Sequence, residues 1–570
     1  MSAVLQDTGT SPVQSPPADP KRWLALAVLL VATFMDLLDA TVVNVAIPSV
    51  QHDLSADYAS IQWIAAGYPL LFALLLITGG RLGDIYGRKR LFQLGVAGFT
   101  VASLLCGVAQ NAEMLAGSRL LQGAAAAMMV PQVLAIIHAT FDSEERNKAF
   151  AIAGSVGGLA AVAGPILGGL LVNWNLFGLS WRPIFLINVP VGVLGLVLGA
   201  RLIRESRSPH ALRTDFVGVG LSTLGLLLFA FPLMQGRELG WPVWGFVSMA
   251  ASVPVFIGFA AYQRRKARRD GSPLVPPALF RVRSFVAGLG VQLTFYVGIG
   301  VFFLSWSVYM QLGLGWSPLH AGLTALAFCF GAFVSSAASV VVLVQKFGRR
   351  VLLAGALVQS AGLAAYIVAA GALGSTINTW EMVAPLVVIG LGFGMVAAPT
   401  PVVVLTEVPP ADAGSASGLV NTMTQLGAVI GVALVSVVFF SPLGALAGAS
   451  ADDVSPQLRH DLVAASVPAD RVDSVVSTFR ACSVARAGEK NPTVVPASCQ
   501  ANADLTKDPA VAGVLATYGK KAGADTFAHA FQIAAGGVMA VTLASFVVMF
   551  GLPRKVAGPA PAAEPVAATA

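Results

Sequence analysis

Fourteen predominantly apolar stretches of about 20 residues or more run through this 570-residue chain, and they limit its fold more than any motif does. They fall near 23–48, 58–80, 90–110, 113–138, 149–173, 182–203 and 215–234, then near 243–262, 285–310, 318–345, 350–371, 381–405, 414–441 and 526–551. About 20 helical residues cross a hydrocarbon core of roughly 30 Å. Without water there, backbone groups must pair within the segment, so continuous apolar runs of this length become helices. Charged residues make up 11% of the chain, against about 25% in a soluble domain. The 59 glycines suit helices that approach one another closely in lipid, where no hydrophobic drive pulls them together. The fold class expected is an all-α integral membrane protein with 14 transmembrane helices.

Lys and Arg set the expected orientation. With the N-terminus inside, 24 of them fall on that side, against Arg182 and Arg237 in short loops on the other. Cytoplasmic loops carry such an excess. Both termini are therefore expected in the cytoplasm, in a multi-pass protein of the cytoplasmic membrane. The same bias accounts for the formal charge of +7 without a nucleic-acid partner. Residues 1–20 are polar and Pro-rich, with no apolar run of a cleavable signal. Together with the Ala/Pro-rich residues 552–570 they read as disordered cytoplasmic tails.

A weak repeat divides the chain. GGRLGDIYGRKRLF (79–92) follows the second stretch and VQKFGRRVLL (344–353) follows the tenth, each placing Gly and then two basic residues at a turn. Parallel six-helix halves are a recurring transporter plan. The expected domains are an N-terminal bundle over 21–205, an inserted helix pair with a basic loop over 206–280, and a C-terminal bundle over 281–551. The last contains 442–525, a polar segment expected to be an extracytoplasmic loop, unusually long for a structureless connection. Cys482 and Cys499 lie in it, 17 residues apart, and a disulfide is expected in an oxidising compartment, ordering the loop as a small cap. Cys106 and Cys329 fall in apolar stretches and read as packing residues.

Several polar residues stand where charge is costly. Asp36 and Asp39 sit inside the first stretch, where an ionisable group costs a few kcal/mol or more. They are one turn apart and about 60° around a helix, so both are expected to line one cavity. The plain alternative is a solvated acid near the end of the span. Arg119, in the fourth stretch, keeps its charge and must find acceptors, for which Asp36, Asp39 and Gln122 are candidates. The 79–92 turn carries Gly80, Asp84, Gly87, Arg88 and Lys89, where Asp84 can pair with Arg88 or with a helix N-terminus. The fifth stretch runs from Gly157 through Gly164, Pro165, Gly168 and Gly169, a groove for close helix approach, or merely a packing seam. Trp63, Tyr68, Phe295, Tyr296, Trp306 and Tyr309 suit either a flat cationic ligand or the membrane interface. No GxxxxGK[ST] loop, metal-ligand spacing or nucleophile elbow occurs, so neither an enzyme, a bound metal nor a cofactor is expected.

These segments resemble the motifs of the major facilitator superfamily. Gly80-x-Leu82-Gly83-Asp84-x-x-Gly87-Arg88-Lys89 is similar to its loop between helices 2 and 3, and Arg119-x-x-Gln122-Gly123 to its fourth-helix motif. The Gly164-Pro165 region resembles the antiporter motif of drug:proton exporters, with Ala160 where the pattern has Gly. Leu38-Asp39 through Asn44 to Pro48 resembles the first-helix signature of the fourteen-helix drug:proton antiporters, the QacA-like and EmrB-like exporters. Trp181 to Pro190 and Gly414 to Gly431 resemble their sixth and thirteenth helices, with Pro183 and Thr424 departing from the pattern.

The resemblance implies a major facilitator fold of two six-helix bundles plus two inserted helices. It implies proton-coupled export of amphipathic, often cationic, small molecules by a monomer, driven by protons alone. Asp39, Asp36, Arg119, Gln122 and Asn44 would then handle proton and substrate, and the 79–92 turn would be a conformational latch. Two alternatives stay open: a dedicated exporter of a self-made metabolite, and a non-transporting sensor on the same fold.

Overall fold

The computed structural model describes residues 20–207, 213–237, 239–408, 413–489, 494–500, 507 and 509–554. The expected tails lie outside the described residues, except for a few positions at their inner edges. Helices account for the architecture, and no strand occurs among the described residues.

The N-terminal half comprises α1 (Arg22–Asp53), α2 (Tyr58–Tyr86), α3 (Arg88–Gly107), α4 (Ala112–Thr140), α5 (Ser143–Trp174) and α6 (Asn188–Leu202). The inserted pair is α7 (Phe216–Gln235) and α8 (Val243–Arg269). Then come α9 (Arg283–Val308), α10 (Pro318–Ala338), α11 (Arg350–Leu373), α12 (Thr379–Ala397) and α13 (Ala413–Val435). The chain ends with α14 (Leu443–Ala464), α15 (Ala469–Gly488) and α16 (Pro509–Val548). Among the described residues, thirteen helices are long and apolar enough to cross a membrane by length and composition. α5 is itself 32 residues long, and its apolar part is described over Ala163–Trp174.

The two halves share one packing plan. In the first, α1 packs on α5 and α6, α4 on α2 and α3, and α3 on α6. In the second, α9 packs on α13 and α16, α12 on α10 and α11, and α11 on α16. The halves meet where α5 lies against α10 and α2 against α13, with the inserted α7 resting on α2 and α13. Below, the near end is that at which α1 begins. There Arg22 pairs with Glu145 of α5 at 2.7 Å. Arg349, after α10, holds the carbonyls of Phe550 and Leu552 at 2.7 and 2.9 Å, so the last helix finishes at the near end too.

The segment 442–525 corrects the expectation of a loop. Through the π-turn Ser436–Phe440, α13 runs on into α14, and α16 starts well beyond the last apolar stretch. The segment is polar by composition yet patterned. Val454, Leu458 and Leu462 recur every four residues, so they form one stripe along α14. That stripe packs on Val472, Val475, Val476 and Phe479 of α15 and on Val511 of α16, a small core of its own. Cys482 and Cys499 are joined as a disulfide, tying α15 to the short helix Ala497–Gln500. The result is a three-helix tower at the far end of the molecule.

Candidate functional site

Asp39 on α1 is fully buried and has an acceptor's full set of donors. Gln122 Nε2 donates to it at 2.8 Å and Asn188 Nδ2 at 3.1 Å, while Arg119 Nη1 forms the ion pair. Arg119 and Gln122 are three residues apart on α4, hence on one face. Arg119 Nη1 also donates to Gln122 Oε1 at 2.7 Å and Arg119 Nε to the Ile64 carbonyl at 3.3 Å. Ser103 of α3 completes the set by accepting from Gln122 at 2.8 Å and from Asn188 at 3.4 Å. A buried ion pair persists when further hydrogen bonds satisfy its remaining lone pairs and protons. Four helices supply them here.

Asp36 lies on the same helix and is 4% exposed. Tyr68 of α2 donates its hydroxyl to Asp36, and the same ring lies 4.7 Å beneath the Arg119 guanidinium. Phe185 faces that guanidinium from 5.8 Å. The two acids are therefore linked as Asp36–Tyr68–Arg119–Asp39. Both acids, expected to line one cavity, are enclosed here within the N-terminal half. The α1 face that carries them turns toward α2, α3, α4 and α6, where the donors are. Asn44 does not join the cluster. Its backbone carbonyl instead accepts from Ser307 Oγ of the other half at 2.6 Å.

The 79–92 turn is built by close approach. Gly87 has φ +115°, a left-handed conformation that favours glycine, and a β-carbon there would meet the Glu205 carboxylate at 2.6 Å. Glu205 accepts from the amides of Lys89 at 3.0 Å and Arg90 at 3.2 Å, so an acid caps the start of α3. Asp84 takes two bonds from Arg88, at 2.8 and 3.0 Å, and Arg88 reaches the Ala135 carbonyl of α4 at 3.3 Å. Lys89 Nζ donates to the Ala200 carbonyl at 2.7 Å, and Gly80 lies against Pro131. All these contacts stay within the N-terminal half. Residues 409–412, before α13, lie outside the described residues.

The residue that reaches away from its half is Arg81, at a variable position of the motif. It is 8% exposed and donates to the carbonyls of Arg213 at 3.1 Å, Ser272 at 3.2 Å, Leu274 at 3.5 Å and Pro273. Leu274 and Val275 pack with Phe285, Val403 and Val404 of the C-terminal half.

The small residues of α5 bring three helices together. A β-carbon at Gly164 would overlap Thr41 of α1, and one at Gly168 would lie 2.7 Å from Val42 Cγ2. At Gly169 it would lie 2.8 Å from Leu319 Cα of α10, and at Gly322 it would overlap the Pro165 carbonyl. Gly164 and Gly168 thus face α1, while Pro165 and Gly169 face the other half. In the C-terminal half, Phe295, Phe303, Phe328 and Phe393 form one connected ring system with Tyr296 at its edge, with centroids 5.1 to 6.3 Å apart. Tyr296, Phe303 and Phe393 are half-buried. Trp306 instead donates to Tyr366 at 2.8 Å in the core, and Tyr309 stacks on Phe531 at 5.1 Å. Gln292 donates to Thr424 at 2.6 Å.

Such paired six-helix halves, with a buried acid–arginine cluster in one of them, define a membrane transporter. Residues 29–432 match the Major Facilitator Superfamily profile, and the chain belongs to that family, whose members are non-enzymatic multi-pass transporters. It is 41% identical over 557 residues to a "Probable actinorhodin transporter" of Streptomyces coelicolor, covering 97% of this chain and 96% of that protein. It is 34% identical to the "Tetracenomycin C resistance and export protein" of Streptomyces glaucescens, over 74% of this chain and 77% of that one. With the "Multidrug efflux pump LfrA" of Mycolicibacterium smegmatis it shares 32% identity over 81% and 91% of the two chains. The fold is similar to a solved autoinhibited POT family peptide transporter, at a TM-score of 0.59 and 15% identity, over 95% of this chain and 99% of that one.

Sequence reasoning missed Ser103, Tyr68, Asn188, Arg81, Glu205 and Gly322 as partners. Asn188, a polar amide inside the sixth apolar run, carried a readable signal. Ser103 and Gly322 did not.

Proposed function

We propose that the chain exports amphipathic, often cationic, small molecules across the cytoplasmic membrane by proton antiport. Both termini are in the cytoplasm, the protein acts as a monomer, and it needs no cofactor beyond the proton gradient. The observation that carries the reading is the Asp39–Arg119 pair, buried in one half and neutral as a unit. A proton arriving on Asp39 leaves the guanidinium, which cannot itself deprotonate, without its counter-charge. Arg119 must then re-pair, and Asp36 is reached from it through Tyr68. Proton binding and a conformational change are thereby made one event. The half-buried rings around Tyr296, Phe303 and Phe393 offer an apolar aromatic surface to a substrate.

A second reading has its own support. The relative that matches nearly the whole chain, tower included, bears the name of one compound's transporter. A dedicated exporter would use the same proton cluster with a narrower pocket. Proteoliposomes with an imposed pH gradient, offered a panel of dyes and antibiotics, separate the two. Asp39→Asn is expected to fold and to abolish gradient-driven export in either case. Full export by that variant overturns the coupling role.

A further inference from the structure

In α1 the residue at position 48 is a proline and has no amide proton. An α-helix gives each carbonyl to the amide four residues on. The carbonyl of Asn44 therefore has no donor within its own helix. The donor comes from the other half: Ser307 Oγ of α9 lies 2.6 Å from Asn44 O, and Gln311 Nε2 lies 2.9 Å from the next carbonyl, that of Val45. Gln311 Nε2 also touches Ser307 Oγ at 3.1 Å, so the two donors form one unit. Ser307 is 3% and Gln311 8% exposed. Gln311 belongs to the π-turn Tyr309–Gly313 that ends α9, a kind of turn found frequently at functional sites.

Neighbouring contacts close the same end. Tyr58, at the start of α2, lies 4.1 Å from the Phe440 ring of the C-terminal half, and Gly169 and Gly322 bring α5 against α10. These others are apolar and non-directional. The pair onto α1 is directional, and the carbonyl that Ser307 takes, that of Asn44, is one that Pro48 frees.

We propose that Ser307 and Gln311 are the bolts of the far-end gate, and that Pro48 serves to present the Asn44 carbonyl that Ser307 holds. This rests on the transport reading above, since a gate needs a carrier that opens. Neutral hydrogen bonds suit the task. Each shifts an equilibrium by about two- to twelvefold, enough to hold the gate and little enough to release it in every cycle. The contrast is Arg81 at the near end, where a charged guanidinium grips four carbonyls.

The test measures distance, not transport. Spin labels are placed at Gln110→Cys and Trp380→Cys, exposed far-end sites on opposite halves, with Cys106→Ser and Cys329→Ser as background. Ser307→Ala and Gln311→Ala should each raise the ratio of long to short distances about fivefold, and the double variant by more than either alone but less than the roughly 25-fold product, since the two side chains bond each other. Pro48→Ala returns an amide to α1 and should shift the ratio in the same direction, while Ser307→Ala added to it should do little more. Ser307→Thr should retain the wild-type distribution. Unchanged distances in the double variant, or full additivity of Pro48→Ala with Ser307→Ala, overturn the proposal. Ethidium efflux by the wild type is measured separately. Its absence would count against the broad-range reading and in favour of a dedicated exporter, while the distances still decide whether the gate exists.

Discussion

The two halves of this transporter pair their helices alike and fill their centres with different chemistry. In the N-terminal half, Asp39, Arg119, Gln122, Asn188 and Ser103 form an ionic cluster with no exposed surface to speak of. At the centre of the C-terminal half stand packed aromatic rings and neutral hydrogen bonds, Gln292 to Thr424 and Trp306 to Tyr366. A repeated backbone therefore does not impose repeated function. One half encloses a buried ion pair, the other a system of aromatic rings.

Arg119→Ala tests that division hardest. It strands Asp39 in a buried site without its cation, and breaking such a pair costs about 3–5 kcal/mol. Thermal unfolding in detergent should show the loss, and gradient-driven export should vanish. A variant as stable as the wild type would mean that the cluster is not what organises its half. Next in size is the tower of the C-terminal half. With Cys482→Ser and Cys499→Ser, closure of that loop no longer stabilises it, a loss of about 3 kcal/mol confined to the tower. Hydrogen exchange should rise in α15 and leave α9 untouched. In intact cells, an impermeant thiol reagent should label the wild type only after reduction.

Phe393→Ala probes the ring system. Removal of one aromatic partner should raise the substrate concentration for half-maximal export by about two- to twelvefold, with protons moved per substrate unchanged. Altered stoichiometry would erase the distinction between the halves. The smallest effect concerns Glu145, which the hydrogen bond from Arg22 holds below the usual carboxylate range. A depressed folded-state value adds stability above the unfolded value and loses it as pH falls through the folded one. Acid titration should therefore loosen the junction of α1 and α5 at low pH. Glu145→Gln should remove that part of the pH dependence, and an identical titration for both proteins would rule the pair out as its source. The group is exposed, so the change is slight.

Much of this is legible in the sequence. The spans follow from apolar run length, the halves from the repeated Gly-basic turns at 79–92 and 344–353, and Asp39 and Arg119 from the cost of charge in lipid, with Gln122 as a candidate acceptor for that arginine. Donors that sit on other helices are not legible. Ser103 and Tyr68 are ordinary residues until α3 and α2 bring them within reach, and a serine in an apolar run has no signature. Arg81 escaped because its role lies in the carbonyls it meets, which belong to a segment almost 200 residues away. The tower was missed for a different reason. Low mean apolarity hid the four-residue spacing of Val454, Leu458 and Leu462, and that spacing, not composition, makes a helix with a buried face.

α16 is 40 residues long, so at 1.5 Å per residue it measures about 60 Å, twice the thickness of the hydrocarbon core. It is a single helix, rooted in the C-terminal half and rising beyond it beside α14, which continues α13 through the turn at 436–442. Rods amplify angles. A tilt of about 10° in the half that carries them would displace a point some 30 Å further out by about 5 Å, since the rise per residue fixes the arm. The tower is thus a pointer on a dial. A single fluorophore at its tip would report a tilt of the half that carries it.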